Sequence, residues 1–379
     1  MPRKILQLIK YYKGNAPLLN DMARTHSGEF DIITCYLGGY DDGNNDMEAA
    51  ASKTIYKGIS KKRLYWSSRT TLKSLATVID ENEVDLVVCQ FRRTIPIGVL
   101  AAFFSKRKPK TIAILHGIVG GKNSLSRKMI NFLVYKRLNK VVSVSEFGVS
   151  DIVKQNIGLS EKKIVAIPNG LNCKKFTEEK LVKRSDTLPH YHKDDFIILM
   201  VGRLAPVKNH VRVLHALVKL KAQLETMVPE RVVRLVIAGQ GPAENQIKSI
   251  IDELNLNKNV ELLGFRKDIP DLLKVVDAYL MPSAREGLPM ALMEAMVSEL
   301  LVITSNRAGM KELVPDESIG YLVDPDSIDS IYQGMLRALQ EDPDTRQAKI
   351  DKARQRVLEK YSSDVMINHY DNLYKKLLT

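Results

Sequence analysis

Residues Ser283 to Ser298 read SAREGLPMALMEAMVS. They follow a short apolar run, Val275 to Met281, with the character of a strand. Pro289 stands where a first helical turn begins, a place where its missing N–H costs nothing. Ala291, Leu292, Met293, Ala295 and Met296 are good helix formers. The reading is strand, loop, helix, with Glu286 in the loop and Glu294 inside the helix. A loop carboxylate beside the N–H groups of a helix start suits a polar ligand that carries phosphate.

The same alternation runs outward in both directions. Towards the amino end, apolar runs predict strands at Lys4–Ile9, Phe30–Leu37, Asp85–Gln90, Lys110–Leu115, Val141–Val144 and Lys163–Ile167. Amphipathic or apolar segments between them predict helices at Leu18–Thr25, up to Asn82, and at Ile95–Phe104, Asn123–Asn139 and Ser145–Asn156. A second series begins at Phe196–Val201 and continues through Val233–Ala238, Val260–Leu263, Ala278–Met281, Leu301–Thr304 and Gly320–Val323. Helices are predicted between those strands and at Ser327–Gln340, Thr345–Glu359 and Ser363–Leu378. Strand–helix alternation implies parallel, doubly wound sheets, and the length of 379 residues implies two of them. The charged, aperiodic stretch Cys173–Lys193 reads as the linker. The expected domains are 1–185 and 194–360, with the last helix, 361–379, packing back on the first. Ligands of such sheets lie beyond the carboxyl ends of the strands, so a cleft between the domains is the expected site.

Composition excludes several classes. The longest apolar run, Ile97–Phe104, is far shorter than the ~20 residues of a spanning helix. Cys35, Cys89 and Cys173 are widely spaced, lack metal-ligand spacing, and read as reduced cytosolic thiols. Charge is divided unequally: residues 1–190 carry a net +15 and residues 191–379 a net −2, within a total of +13. A basic first half suggests an anionic partner there. No helix-turn-helix, zinc or aromatic RNA-binding pattern occurs, so nucleic acid is not the expected one.

Polar candidates follow the predicted strands. Gly14 follows the first, where a small residue allows close backbone approach. His116 ends a strand of the first domain. Gly202, Arg203, Lys208 and Asn209 follow the first strand of the second domain, and a paired Arg and Lys can hold a diphosphate. Gly239-Gln240-Gly241 lacks the third glycine of a dinucleotide fingerprint. Phe265 and Arg266 stand where they can flank a base. Asp324-x-Asp326 reads as a turn and helix cap, and no metal is expected there.

VGRLAPVKN, AGQGP, LLGFRKDIPDLL, MPSAREGLPMALMEAM and GYLVDPDS occur in order, after LHG (115–117), SVSEF (143–147) and IPNGLN (167–172). Together with Glu286 and Glu294, seven residues apart, they resemble the motifs of the retaining glycosyltransferases of family 4. The resemblance implies a GT-B fold, two Rossmann-like domains facing across a cleft. It implies a nucleotide diphosphate sugar on the second domain and an acceptor on the first, with no resident cofactor and no metal. By that resemblance Arg203 and Lys208 neutralise the leaving diphosphate, and Glu286 holds a sugar hydroxyl. Gly287, Leu288 and Met290 offer backbone N–H groups around Pro289, and Gly202 is counted with these donor-binding residues. Glu294 takes the ribose, backbone at Phe265 and Arg266 the base, and His116 the transferred sugar. Many members carry Gly-Gly in the first loop, where KYYKGNAP has Gly14 alone.

The family reading gives the basic half a use. Cations at Lys57–Lys73, Lys106–Lys110 and Lys122–Lys140, interleaved with Tyr65, Trp66, Phe132 and Tyr135, suit a cytoplasmic enzyme held at the inner face of the membrane. The expected acceptor is a glycan or an anionic lipid-linked glycan of lipopolysaccharide or surface-polysaccharide synthesis. UDP is the expected nucleotide and GDP the second. A sugar-nucleotide epimerase or a phosphorylase of the same fold is the alternative.

Overall fold

The computed structural model describes residues 1–11, 17–25, 28–40, 51–60, 68–116, 132–155, 159–178, 181–227 and 232–379. The chain forms two compact units, Met1–Asn172 with Ser362–Thr379, and Cys173–Tyr361.

In the first unit, β1 (Arg3–Tyr11), β2 (Phe30–Gly38), β3 (Lys53–Tyr56), β4 (Leu86–Gln90), β5 (Lys110–Leu115), β6 (Lys140–Ser143) and β7 (Ile164–Ala166) make one sheet. Its order is β3-β2-β1-β4-β5-β6-β7, and every pairing is parallel. Strand period dictates the layers. Leu6 and Leu8 face one apolar cluster with the helices Arg69–Glu81 and Ile95–Phe104. Ile5 and Ile9 face the other, where Met366, Tyr370, Leu373 and Tyr374 of the helix Ser363–Leu378 pack. That helix is tied to the first unit at its polar positions as well. Thr25 Oγ1 donates to Asp371 at 2.9 Å, Ser363 Oγ to Asp21 at 2.8 Å, and Ser363 N to Leu171 O at 2.9 Å.

The second unit contains β8 (Phe196–Val201), β9 (Val233–Ala238), β10 (Val260–Gly264), β11 (Ala278–Met281), β12 (Leu301–Ser305) and β13 (Tyr321–Val323). The order is β10-β9-β8-β11-β12-β13, again parallel throughout. The direction of winding reverses between β8 and β11, so the loops that follow these two strands flank a crevice at the sheet's carboxyl edge.

Besides shifts of one or two residues at element ends, four differences from the sequence reading bear on the architecture. β3, KTIY, is a short edge strand of half-buried and exposed residues, which is why no apolar run announces it. The first helix stops at Asp21 rather than Thr25. Tyr135 is 2% exposed and belongs to the core, not to a surface belt. The stretch expected to be a linker packs with the second unit, so the boundary falls at Asn172. Arg184 explains this: its guanidinium donates to Val275 O and Asp195 O, both at 2.9 Å, and to Asp277 Oδ2 at 3.1 Å. Of the expected helix Asn123–Asn139, residues 132–137 are helical and 117–131 lie outside the described residues. Cys35, Cys89 and Cys173 are free thiols.

Candidate active site

The loop after β8 turns on Gly202 and then makes a 3-10 turn, Pro206–Lys208. Its fit against the β9 loop requires glycine. Gly239 has φ +149, and a Cβ there would lie 1.8 Å from Gly202 O. Gly239 N in turn donates to Gly264 O at 2.7 Å, so the ends of β8, β9 and β10 form one continuous edge. Asn209, with φ 60, closes the β8 loop. Its buried amide donates to Pro282 O at 2.8 Å and to Pro325 O at 2.9 Å, which ties together the loops after β8, β11 and β13. Ala284 N donates to Val207 O at 2.8 Å.

This cross-bracing sets Lys208 against the β11 loop. Its Nζ lies 2.7 Å from Glu286 Oε1, and the two side chains are 17% and 22% exposed. At that exposure desolvation offsets much of the attraction, but removing either partner would strand a partly buried charge. Glu286 O accepts from Gly309 N at 3.3 Å, which fixes the loop from behind. Beneath the pair is Tyr279, fully buried on β11, with its hydroxyl 3.4 Å from Val201 O. Burial pushes its phenol well up, and the Glu294 and Glu286 carboxylates push it further, so both glutamates bear on one ring.

Glu294 lies in the helix Met290–Val297, whose N-cap is Pro289. Burial raises its carboxyl from the ordinary 4.5 to about 7. The folded protein thus holds a proton that the unfolded chain releases. The stability from this proton is fully present below pH 4.5 and is lost as pH rises through about 7. The loss is at most about 3–4 kcal/mol, at ~1.4 kcal/mol per pH unit. Thermal melts of the ligand-free protein should show Tm falling across that interval, and Glu294→Gln should flatten the dependence.

The remaining expected residues are distributed as follows. Leu288 and Pro289 are buried, while Gly287 and Met290 are partly open. Arg203 is exposed and makes no ion pair among the described residues. Phe265 is 67% exposed, which suits a planar ligand. Arg266 is not turned to the Lys208–Glu286 pair, since its Nε donates to Asp268 Oδ1 at 2.7 Å. Asp324 and Asp326 are both held by Arg307, at 2.9 and 2.6 Å, and Ser327 caps the next helix. Gly14 lies outside the described residues.

His116 ends β5 in the first unit. Its Nε2 is 2.6 Å from Gln90 Oε1, and its ring centroid is 4.4 Å from that of Phe91. Burial lowers its pKa from 6.5 to about 4, so the ring is neutral at physiological pH. Sequence reasoning missed Tyr279, Gln90 and Gly309. Gln90, a polar residue closing the apolar strand DLVVCQ, was the one with a visible signal.

A family profile described as "Glycosyl transferases group 1" matches residues 183–356, and "Glycosyltransferase Family 4" matches 27–175. The chain is similar to the UDP-Gal:alpha-D-GlcNAc-diphosphoundecaprenol alpha-1,3-galactosyltransferase of Escherichia coli, 28% identical over 344 residues and covering 85% of each chain. It is also similar to a Campylobacter jejuni N-acetylgalactosaminyltransferase whose name specifies a diphospho-undecaprenol substrate. There the identity is 28% over 281 residues, covering 69% of this chain and 72% of the relative. Among solved structures, a glycosyltransferase from Rickettsia africae superposes with TM-score 0.83 at 22% identity, covering 100% of this chain and 99% of the other. Anabaena HepE, solved in complex with UDP and glucose, gives 0.79 at 18% identity, covering 99% and 100%.

Proposed function

The chain belongs to glycosyltransferase family 4 and has the GT-B fold, and we propose that it transfers a hexose from a nucleotide diphosphate sugar to a lipid-linked glycan, with retention of anomeric configuration. The observation that carries this reading is the Lys208–Glu286 pair at the winding reversal of the second sheet. Without donor, the two groups satisfy one another. With donor, the Lys208 ammonium turns to the diphosphate, joined by Arg203, and the freed Glu286 carboxylate accepts from sugar hydroxyls. The bond from C1 to the phosphate oxygen breaks, and the bond from C1 to the acceptor oxygen forms on the same face. The acceptor proton passes to a phosphate oxygen, and the nucleoside diphosphate leaves. Fixed cations stabilise the departing charge without reorganisation, so no divalent metal is required. Glu294 binds the ribose, and His116 meets the transferred sugar.

UDP is the first choice of nucleotide, in keeping with the E. coli relative named for UDP-Gal and with the UDP held by HepE. GDP is the second. The names of the E. coli and C. jejuni relatives support an undecaprenyl-diphosphate glycan as acceptor. The test is nucleoside diphosphate release from UDP- and GDP-hexoses, with and without a polyprenyl-diphosphate glycan, in EDTA. Acceptor-dependent release that survives EDTA is expected, with NMR showing the donor's anomeric configuration in the product. An inverted product refutes retention, and release that EDTA abolishes refutes metal independence.

A lipid-linked acceptor places the enzyme at an anionic membrane, at the inner face of the cell membrane in the present reading. Among the described residues no helix is long and apolar enough to cross one. Support for surface attachment comes from one patch of the first unit. Phe103 and Phe104 are 50% and 63% exposed, with Arg137 Cζ 5.1 Å and Lys108 Nζ 5.8 Å from the Phe103 ring centroid. Leu133 and Phe132 are exposed on the segment that carries Arg137. Apolar rings rimmed by cations match an anionic headgroup layer, at about 1 kcal/mol per cation. Phe103→Ala with Phe104→Ala should lower binding to phosphatidylglycerol vesicles about tenfold or more, at ~25 cal/mol per Å² of apolar surface. Binding to phosphatidylcholine vesicles as strong as to phosphatidylglycerol would refute the attachment.

A further inference from the structure

His116 is held by two residues at the end of β4: Gln90 determines which of its nitrogens is available, and Phe91 packs against its ring. Gln90 is fully buried, and its backbone oxygen accepts from Thr94 Oγ1 at 2.7 Å. Among the described residues its side chain meets two groups. One is Met22 Sδ, 3.6 Å from Nε2, and the other is His116 Nε2, 2.6 Å from Oε1. A thioether accepts hydrogen bonds and never donates one, so the amide NH2 belongs to Met22 and the amide oxygen to His116. An amide oxygen only accepts, so His116 Nε2 carries the proton. The neutral ring has one proton, which leaves Nδ1 with a bare lone pair. Phe91 has φ +68, a conformation that a non-glycine residue adopts only when its surroundings impose it. That conformation lays its ring against the imidazole.

We propose that Gln90 and Phe91 are positioning residues that lock His116 as the Nε2–H tautomer and aim the Nδ1 lone pair at a hydroxyl of the transferred sugar. The proposal rests on the assignment of His116 to that sugar. Its chemical sense follows from the charge that develops in the reaction. As the diphosphate departs, positive charge builds at C1 and the ring oxygen. An imidazolium would oppose that charge, whereas a lone pair accepting from a sugar hydroxyl leaves the oxygen more electron-rich and favours it. Among the described residues, the side chains in contact with His116, those of Gln90 and Phe91, are both neutral. Arg92 is turned to the Tyr135 hydroxyl. Arg93 is exposed.

The test uses three variants of the whole protein, with circular dichroism and Tm as folding controls. In 15N-histidine spectra, with His116 assigned by its loss in His116→Gln, the wild type should show the Nε2–H tautomer alone. Gln90→Met, of similar volume and without an acceptor oxygen, should give mixed tautomers. Its kcat should fall about tenfold or more with KM for the donor unchanged. Gln90→Glu supplies a carboxylate that favours the imidazolium, so the acid limb of kcat should move up by about 1–3 pH units, with activity recovered above it. A wild-type Nδ1–H tautomer, or a Gln90→Met protein with native tautomer or native kcat, overturns the proposal. Native kcat in His116→Gln refutes instead the role given to His116 at the sugar, which separates the two failures.

Discussion

Glu286→Ala is expected to lower kcat by about 10²–10³-fold, the range for removing one fixed polar group from a transition state. The affinity for free UDP should stay near wild type. The carboxylate is assigned to the sugar, so a ligand without sugar does not report its loss. Removing it also leaves the Lys208 ammonium, now 2.7 Å from Glu286 Oε1, without a partner in a partly dry site. Lys208 is then free to hold the diphosphate from the outset, which predicts unchanged or tighter binding of UDP. Lys208→Ala should act in the opposite sense. It strands a half-buried carboxylate where the phosphates must sit, so UDP binding and kcat should both fall. Glu294→Ala should weaken UDP binding with a smaller effect on kcat, because the proposed function gives it the ribose. Isothermal titration with UDP and steady-state kinetics on the three variants separate these outcomes. Native kinetics in Glu286→Ala would remove the central residue from the mechanism.

Gly309→Ala is expected to lower kcat about 10²-fold with no contact to substrate, because a displacement of ~1 Å at a catalytic loop has that effect. A Cβ at Gly309 would lie 1.6 Å from Gly287 O and 2.6 Å from Gly287 C. Both atoms are backbone, so neither can rotate away. The β11 loop must move, and with it Glu286, whose own carbonyl accepts from Gly309 N. Overpacking of this kind costs about 1–3 kcal/mol, so Tm should fall as well. Gly334→Ala provides the control. Its Cβ would meet Val323 Cγ1 at 2.4 Å and Ile303 Cγ2 at 3.0 Å, side chains of the same sheet's core. It should lower Tm and leave KM and kcat nearly unchanged. If both variants lose stability and neither loses turnover, the loop does not need its present place.

What the sequence disclosed follows from what controls each feature. β5, β8 and β9 begin and end where the sequence places them, because strands buried on both faces need uninterrupted hydrophobicity, whereas β11 starts three residues inside the run Val275–Met281. β3 lacks that signature, since an edge strand with little burial needs none. Glu286, Lys208 and His116 were visible as polar residues at or within one loop of the ends of such runs. Their supports were not. Asn209 acts through two carbonyls, one of them 116 positions away in the chain. Tyr279 reads as one more apolar strand residue until both glutamates are set over it. The domain boundary depended on long-range ties such as Arg184 reaching Val275 across 91 positions and Tyr191 reaching Glu261 across 70. No local pattern encodes such a reach.

The helix Ser363–Leu378 completes the core of the first unit with Met366, Tyr370, Leu373 and Tyr374. This has a consequence for biosynthesis. The strands of the first sheet leave the ribosome early, yet one apolar face waits for residues made after the whole second unit. Between them comes the whole of Cys173–Tyr361, on the order of 10–40 s of translation at ~5–20 residues per second. The later-made unit therefore has all its chain first, and the earlier one finishes after it. During that interval Ile5, Ile9, Phe30 and Ile32 lack their helix, and a nascent chain in this state is a natural client for chaperones that shield apolar surface.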